Sequence, residues 1–97
     1  MAVGDVYADL QSLADDAELT IQPAAGSEAV IHNAYYGGAV EIYRKDGVDS
    51  LMFDSDGAAG ARYGMCWHVT NGQYITIKNV SGGAIIIGFD GIYTKAA

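Results

Sequence analysis

The feature that most constrains this chain is its punctuation. Short apolar runs are cut apart by turn residues at intervals of roughly eight to twelve positions, the spacing of strands in an all-β sandwich or barrel. Leu19-Thr20-Ile21-Gln22, Val40-Glu41-Ile42-Tyr43-Arg44 and Tyr74-Ile75-Thr76-Ile77-Lys78 alternate with period two, which suits half-buried strands. Glu28–Ala34 and Ile85-Ile86-Ile87-Gly88-Phe89 are apolar on both faces near their middles, so their second faces need cover. Between the runs lie Pro23-Ala24-Ala25-Gly26, Gly37-Gly38, Asp46-Gly47, the small-residue stretch 54–60, Asn71-Gly72, Ser81-Gly82-Gly83 and Asp90-Gly91. Asp46-Gly47 and above all Asn71-Gly72 read as hairpin turns, and Asp90-Gly91 as a turn before a last strand at Ile92. No helical pattern separates strands after residue 16, which excludes a parallel βαβ sheet. The expected fold is an antiparallel β-sandwich, jelly-roll-like, of about seven or eight short strands over residues 17–97. Tyr63, Met65, Trp67 and Val69 fall on one strand face, with Trp67 as the expected core anchor.

Residues 1–16 have a different texture. Val6, Leu10 and Leu13 recur at helical spacing with Tyr7 and Ala14 beside them, and Asp5 suits an N-cap. A short amphipathic helix fits, and so does an extended arm that orders on a partner.

Charge and size bound the partners. The 97 residues carry 12 acidic and 5 basic side chains, a net charge of −7. Nucleic acid and anionic membrane both require a basic face, and the one adjacent basic pair, Arg44-Lys45, is followed by Asp46. Six of the acids, Asp5, Asp9, Asp15, Asp16, Glu18 and Glu28, fall within the first 28 residues, which hold no lysine or arginine, so the front of the chain is suited either to a basic protein surface or simply to solubility. A single domain of this length buries roughly 64% of its unfolded surface, a thin core that burial against neighbouring subunits would supplement. The single cysteine, Cys66, excludes a disulfide-stapled scaffold. No apolar run approaches the ~20 residues of a membrane span, and the first residues lack the basic and apolar regions of a signal peptide. These features suit a protein made in a reducing cytoplasm.

Catalytic chemistry finds little support. Asp54-Ser55-Asp56-Gly57 begins like a calcium loop, but Met65 stands where the bidentate carboxylate belongs. Cys66 and His68 share a strand face with only His32 to join them, which is neither a zinc set nor a dyad with an orienting group. Neither enzyme activity, metal nor cofactor is expected, and a cupin-like enzyme is the weakest reading because its ligands lack clustered spacing. Asn79-Val80-Ser81 matches a glycosylation sequon by coincidence. Tyr35, Tyr36, Tyr43 and Tyr74 are candidates for an interface within an oligomer, or for stacking on sugars in a tail-associated carbohydrate- or receptor-binding module.

The string Ile21-Gln22-Pro23-Ala24-Ala25-Gly26-Ser27-Glu28-Ala29-Val30-Ile31-His32-Asn33 resembles small virion proteins of tailed bacteriophages. So do Phe53-Asp54-Ser55-Asp56, His68-Val69-Thr70-Asn71, Tyr74–Asn79 and Ile87–Lys95, so the likeness spans roughly residues 19–95. It is a likeness of texture and short strings. It implies a head decoration (cement) protein with a β-sandwich or jelly-roll fold, seated on the capsid exterior, often as a homotrimer, and bridging major capsid subunits. On that reading the front segment is the grip, with Val3, Val6, Tyr7, Leu10 and Leu13 as capsid-contact candidates.

Overall fold

The alternating runs become strands. The computed structural model describes all of residues 1–97 and contains nine strands and no helix. They are β1 (Val6–Leu13), β2 (Glu18–Ile21), β3 (Glu28–Tyr36), β4 (Val40–Asp46), β5 (Asp49–Asp56), β6 (Gly60–Arg62), β7 (Trp67–Thr70), β8 (Gln73–Asn79) and β9 (Ile85–Lys95). One sheet has the order β1-β9-β3, with β6 and β7 both pairing β3 along its far edge; the other has the order β2-β8-β4-β5. Every pairing is antiparallel. With β6 and β7 taken as one strand interrupted at 63–66, the pairs are first with last, second with second-last, third with third-last, and the middle two together. That is a long hairpin rolled into two layers, a jelly roll.

Period-two alternation supplies the core. Leu19 and Ile21, Val40 and Ile42, and Ile75 and Ile77 point inward from the second sheet; Ala29, Ile31, Ala34, Tyr36, Val69, Ile87 and Phe89 meet them from the first. Neither β1 nor β5 contributes a fully buried residue, and each is a sheet edge.

Four expectations are corrected. Residues 6–13 form a strand, not a helix, and β1 pairs with β9 in unbroken register from Val6↔Ile92 to Leu13↔Ile85. The helical reading failed because Val6 and Leu10, four apart, also share a strand face; the long free edge of β9 decides between the two. Asn71-Gly72 is not a hairpin turn: β7 lies in one sheet and β8 in the other, and Gly72 keeps a negative φ. There the chain crosses layers, held by Asn71 Nδ2 donating to the Pro23 carbonyl (3.0 Å) and Gln22 Nε2 donating to the Asn71 carbonyl (2.8 Å). Asp90-Gly91 makes no turn either, because β9 runs straight through it. A Cβ at Gly91 would overlap the Val30 carbonyl of β3, where that strand bulges between Ile31 and Asn33. Finally, Trp67 is not the core anchor. The strand expected around it breaks after Arg62, Tyr63 is left exposed, and the half-buried Trp67 closes the open side of the sandwich edge-to-face on Phe53, with ring centroids 5.3 Å apart. The anchor is Phe89, the largest of the fully buried side chains. Asp46-Gly47 does turn a hairpin, between β4 and β5.

Candidate functional site

The two outer faces of the sandwich differ in chemistry. On the β1-β9-β3 sheet the residues that alternate away from the core line up in cross-strand rows: Val6–Ile92–Val30, Ala8–Asp90–Asn33, Leu10–Gly88–Tyr35, and Ser12–Ile86. Val6, Leu10, Ile86 and Ile92 are between 39% and 70% exposed. They gather exposed apolar surface on one face, and such patches on small proteins are often functional.

Gly88 shapes the middle of this face. Its missing side chain leaves the space into which Leu10 and Tyr35 close from the two neighbouring strands: a Cβ there would lie 2.6 Å from Leu10 Cδ1 and 2.6 Å from Tyr35 Cε2. The arrangement is a cross-strand aromatic laid over a strand glycine. The one charge in the rows, Asp90, is tied down. Its carboxylate accepts from Asn33 Nδ2 at 2.6 Å and from the Tyr35 hydroxyl at 3.0 Å. Burial, then the Asp90 contact, raises the Tyr35 phenol above its ordinary range, so it stays a donor.

The opposite outer face is polar and closed on itself. Lys45 Nζ lies 4.0 Å from Glu18 and 5.1 Å from the Tyr43 ring centre, and the Tyr43 hydroxyl donates to Glu41 at 2.6 Å. At one end of the sandwich Arg62 binds Asp54 through Nε (2.9 Å) and Asp56 through Nη1 (3.4 Å), while the Tyr36 hydroxyl donates to Asp56 at 2.8 Å. Arg62 holds the Asp54 carboxyl below its usual range, the Tyr36 bond does the same for Asp56, and burial pushes Tyr36 up to about 12. Asp54 and Asp56, which lie in the last residues of β5 rather than in a loop, therefore fasten that strand to β3 and β6.

The expected site residues divide. Val3, Val6 and Leu10 are exposed, the last two on the apolar face. Tyr7 and Leu13 alternate to the other side of β1 and pack on the core. Tyr7 stacks on Tyr93 (4.8 Å) and meets Phe89 edge-on (5.0 Å); burial raises its phenol to about 12. Tyr7 and Leu13 are both half-buried. Of the four tyrosines, Tyr36 is 4% exposed and internal, Tyr35 is half-buried in the apolar face, and Tyr43 and Tyr74 are half-buried on the polar one. Cys66 and His68 are exposed, while His32 is half-buried and donates through Nδ1 to the Met65 carbonyl at 2.9 Å. No three His, Cys, Asp or Glu side chains are grouped to hold a metal ion.

Ile86, Gly88 and Ile92 belong to the apolar face but were not among the expected contacts. The run Ile85-Ile86-Ile87 carried the signal, since a doubly apolar strand must show one face outward. The assumed turn at Asp90-Gly91 concealed Ile92. A comparison with known proteins returned no matching family model and no matching curated sequence.

Proposed function

We propose that this chain is a structural virion protein, a decoration protein that binds the outer surface of a capsid and bridges its major capsid subunits. The observation that carries the reading is the apolar outer face of the β1-β9-β3 sheet, set on a jelly roll whose other outer face is polar. A sheet face whose one charge in these rows, Asp90, is already satisfied by Asn33 and Tyr35 docks on a protein surface by excluding water, a role that requires no catalytic group. Val6 and Leu10, expected as capsid contacts, lie in it. Many weakly held copies then stabilise a shell through avidity. The resemblance of residues 19–95 to phage virion proteins supplies the partner, and the capsid exterior is the corresponding location.

The test uses capsids of the virus whose genome encodes the chain. The wild-type protein is expected to pellet with them and to appear as ordered density on the shell by electron microscopy. Leu10→Asp should abolish both while leaving the circular dichroism spectrum unchanged. Absence of wild-type density from the lattice overturns the reading. A tail-associated carbohydrate-binding module is the second reading. It rests on Tyr35, Tyr43 and Tyr74, whose rings are half-buried, and not on Tyr36, which is internal. Glycan-array binding that Tyr43→Ala removes would favour it.

A further inference from the structure

We propose that Asn71-Gly72 is a self-modifying site: in the folded chain the Asn71 side-chain amide converts spontaneously to a carboxylate, and the crossing between the two sheets loosens as a result. The proposal stands independently of capsid binding. Of Asn33, Asn71 and Asn79, only Asn71 is followed by glycine. Asn33 is half-buried with its Nδ2 on Asp90, and Asn79 is fully buried, whereas residues 71–73 are exposed.

The reaction needs only water. The Gly72 backbone nitrogen attacks Asn71 Cγ and closes a cyclic imide. The Cγ–Nδ2 bond breaks, and Nδ2 leaves as ammonia, carrying the proton that the Gly72 nitrogen gives up. Water then opens the ring at either carbonyl, to aspartate or to isoaspartate, in which the main chain runs through Cβ and Cγ. Nothing is oxidised or reduced.

The local structure favours the first step in three ways. The nucleophile is free: the Gly72 N–H makes no hydrogen bond, while the next one, of Gln73, is bound to the Thr70 hydroxyl at 2.9 Å. Access is open, because glycine sets no side chain against the closing ring and the space around it is empty to 4 Å. The developing charge is met. Loss of the Gly72 proton moves negative charge onto the oxygen of the same peptide group, the Asn71 carbonyl, and Gln22 Nε2 donates to that oxygen at 2.8 Å. A donor placed where charge develops acts as an oxyanion hole does.

The consequence follows from the bond that is lost. Asn71 Nδ2 donates to the Pro23 carbonyl at 3.0 Å and so ties the chain beyond β2 to the passage from β7 to β8. In either product an acceptor oxygen replaces the donor and leaves that carbonyl without its partner. Isoaspartate also lengthens the main chain where it changes layers. Each conversion adds one negative charge to a chain already at −7.

Mass spectrometry of the full chain, incubated folded at mildly alkaline pH, reads the reaction. The expected result is conversion confined to the peptide holding Asn71, with ammonia released in equal amount. Gly72→Ala keeps a negative φ and has room for its methyl, so it should slow conversion severalfold without altering the melt. Gln22→Ala should slow conversion of the folded chain and leave the rate in urea unchanged; mere loosening of the corner would speed it instead. Asn71→Asp, which carries the charge of one product, should melt below wild type. A folded chain that stays unconverted while the urea-unfolded chain reacts overturns the proposal, as does conversion indifferent to Gly72→Ala. Faster conversion in Gln22→Ala overturns the part assigned to Gln22, and an unchanged melt for Asn71→Asp overturns the loosening.

Discussion

Asn79 is fully buried and uses both ends of its amide. Its Nδ2 donates to the carbonyls of Leu13 (3.0 Å) and Gly83 (2.8 Å), and its Oδ1 accepts from the Ser81 N–H (2.9 Å) and hydroxyl (2.7 Å). One side chain thus joins the end of β1, the end of β8 and the turn before β9. Asn79→Ala strands these groups without partners and should cost about 2–3 kcal/mol in a urea titration. Phe89→Ala should cost about 3–5 kcal/mol and exceed Trp67→Ala in the same assay, because Phe89 is enclosed and Trp67 only half so. The pH dependence follows from two groups of residues. Asp54 and Asp56 are held below their ordinary range, so their contribution is present above about pH 4 and fades as pH falls further. Tyr7 and Tyr36 are raised to about 12, so theirs is complete below pH 10 and is lost as pH rises through 12. Thermal melts should show both limbs, and Arg62→Gln should move the acid limb to higher pH. Little of this was legible beforehand. Asn79 looked like a chance sequon and Asp54-Ser55-Asp56 like the start of a failed calcium loop, because partners on other strands give each its role: Leu13 for Asn79, Arg62 and Tyr36 for the two acids.

Elements were more legible than their connections. The strands at Leu19–Ile21, Val40–Arg44 and Tyr74–Lys78 follow from alternation alone, since each buries one face. Connections misled because Asn-Gly and Asp-Gly report only a tolerance for turning. Whether that tolerance is used depends on which sheet receives the next strand, as at Asn71-Gly72, and on how closely a neighbour approaches, as at Gly91. β1 is the element whose reading changes most. As a detachable arm it could be removed without harm. As the partner of β9, with Tyr7 against Phe89 and Leu13 under Asn79, it belongs to the sandwich. Deleting residues 1–13 should remove about 4 kcal/mol of burial and lower the melting temperature by at least ~15 °C. An unchanged melt would return β1 to the status of an arm. Gly88→Ala tests the same sheet from its outer side: a Cβ 2.9 Å from the Asp9 carbonyl and closer still to Leu10 and Tyr35 should destabilise by about 1–3 kcal/mol.

At the scale of the molecule, a thin core is surrounded by surfaces of unequal character. The sandwich measures 37 × 27 × 20 Å along its principal axes, and only 19 of 97 residues are buried. Apolar surface left over gathers in two places, the outer face of the β1-β9-β3 sheet and the edge of β5. Elsewhere exposed apolar side chains such as Val3 and Tyr63 stand singly, and a net charge of −7 favours solubility. The doubly apolar runs Val30-Ile31 and Ile85-Ile86-Ile87 foreshadowed the first surface, whereas the second depends on β5 being an edge, which strand order alone decides. Docking of the apolar sheet face on a capsid is measured by counting bound copies per capsid for wild type, Val6→Asp with Leu10→Asp, and Met52→Lys. Ordered occupancy is expected for wild type, none for the Val6/Leu10 double variant, and retained sites for Met52→Lys. Full occupancy by the double variant, with its fold intact, would contradict it.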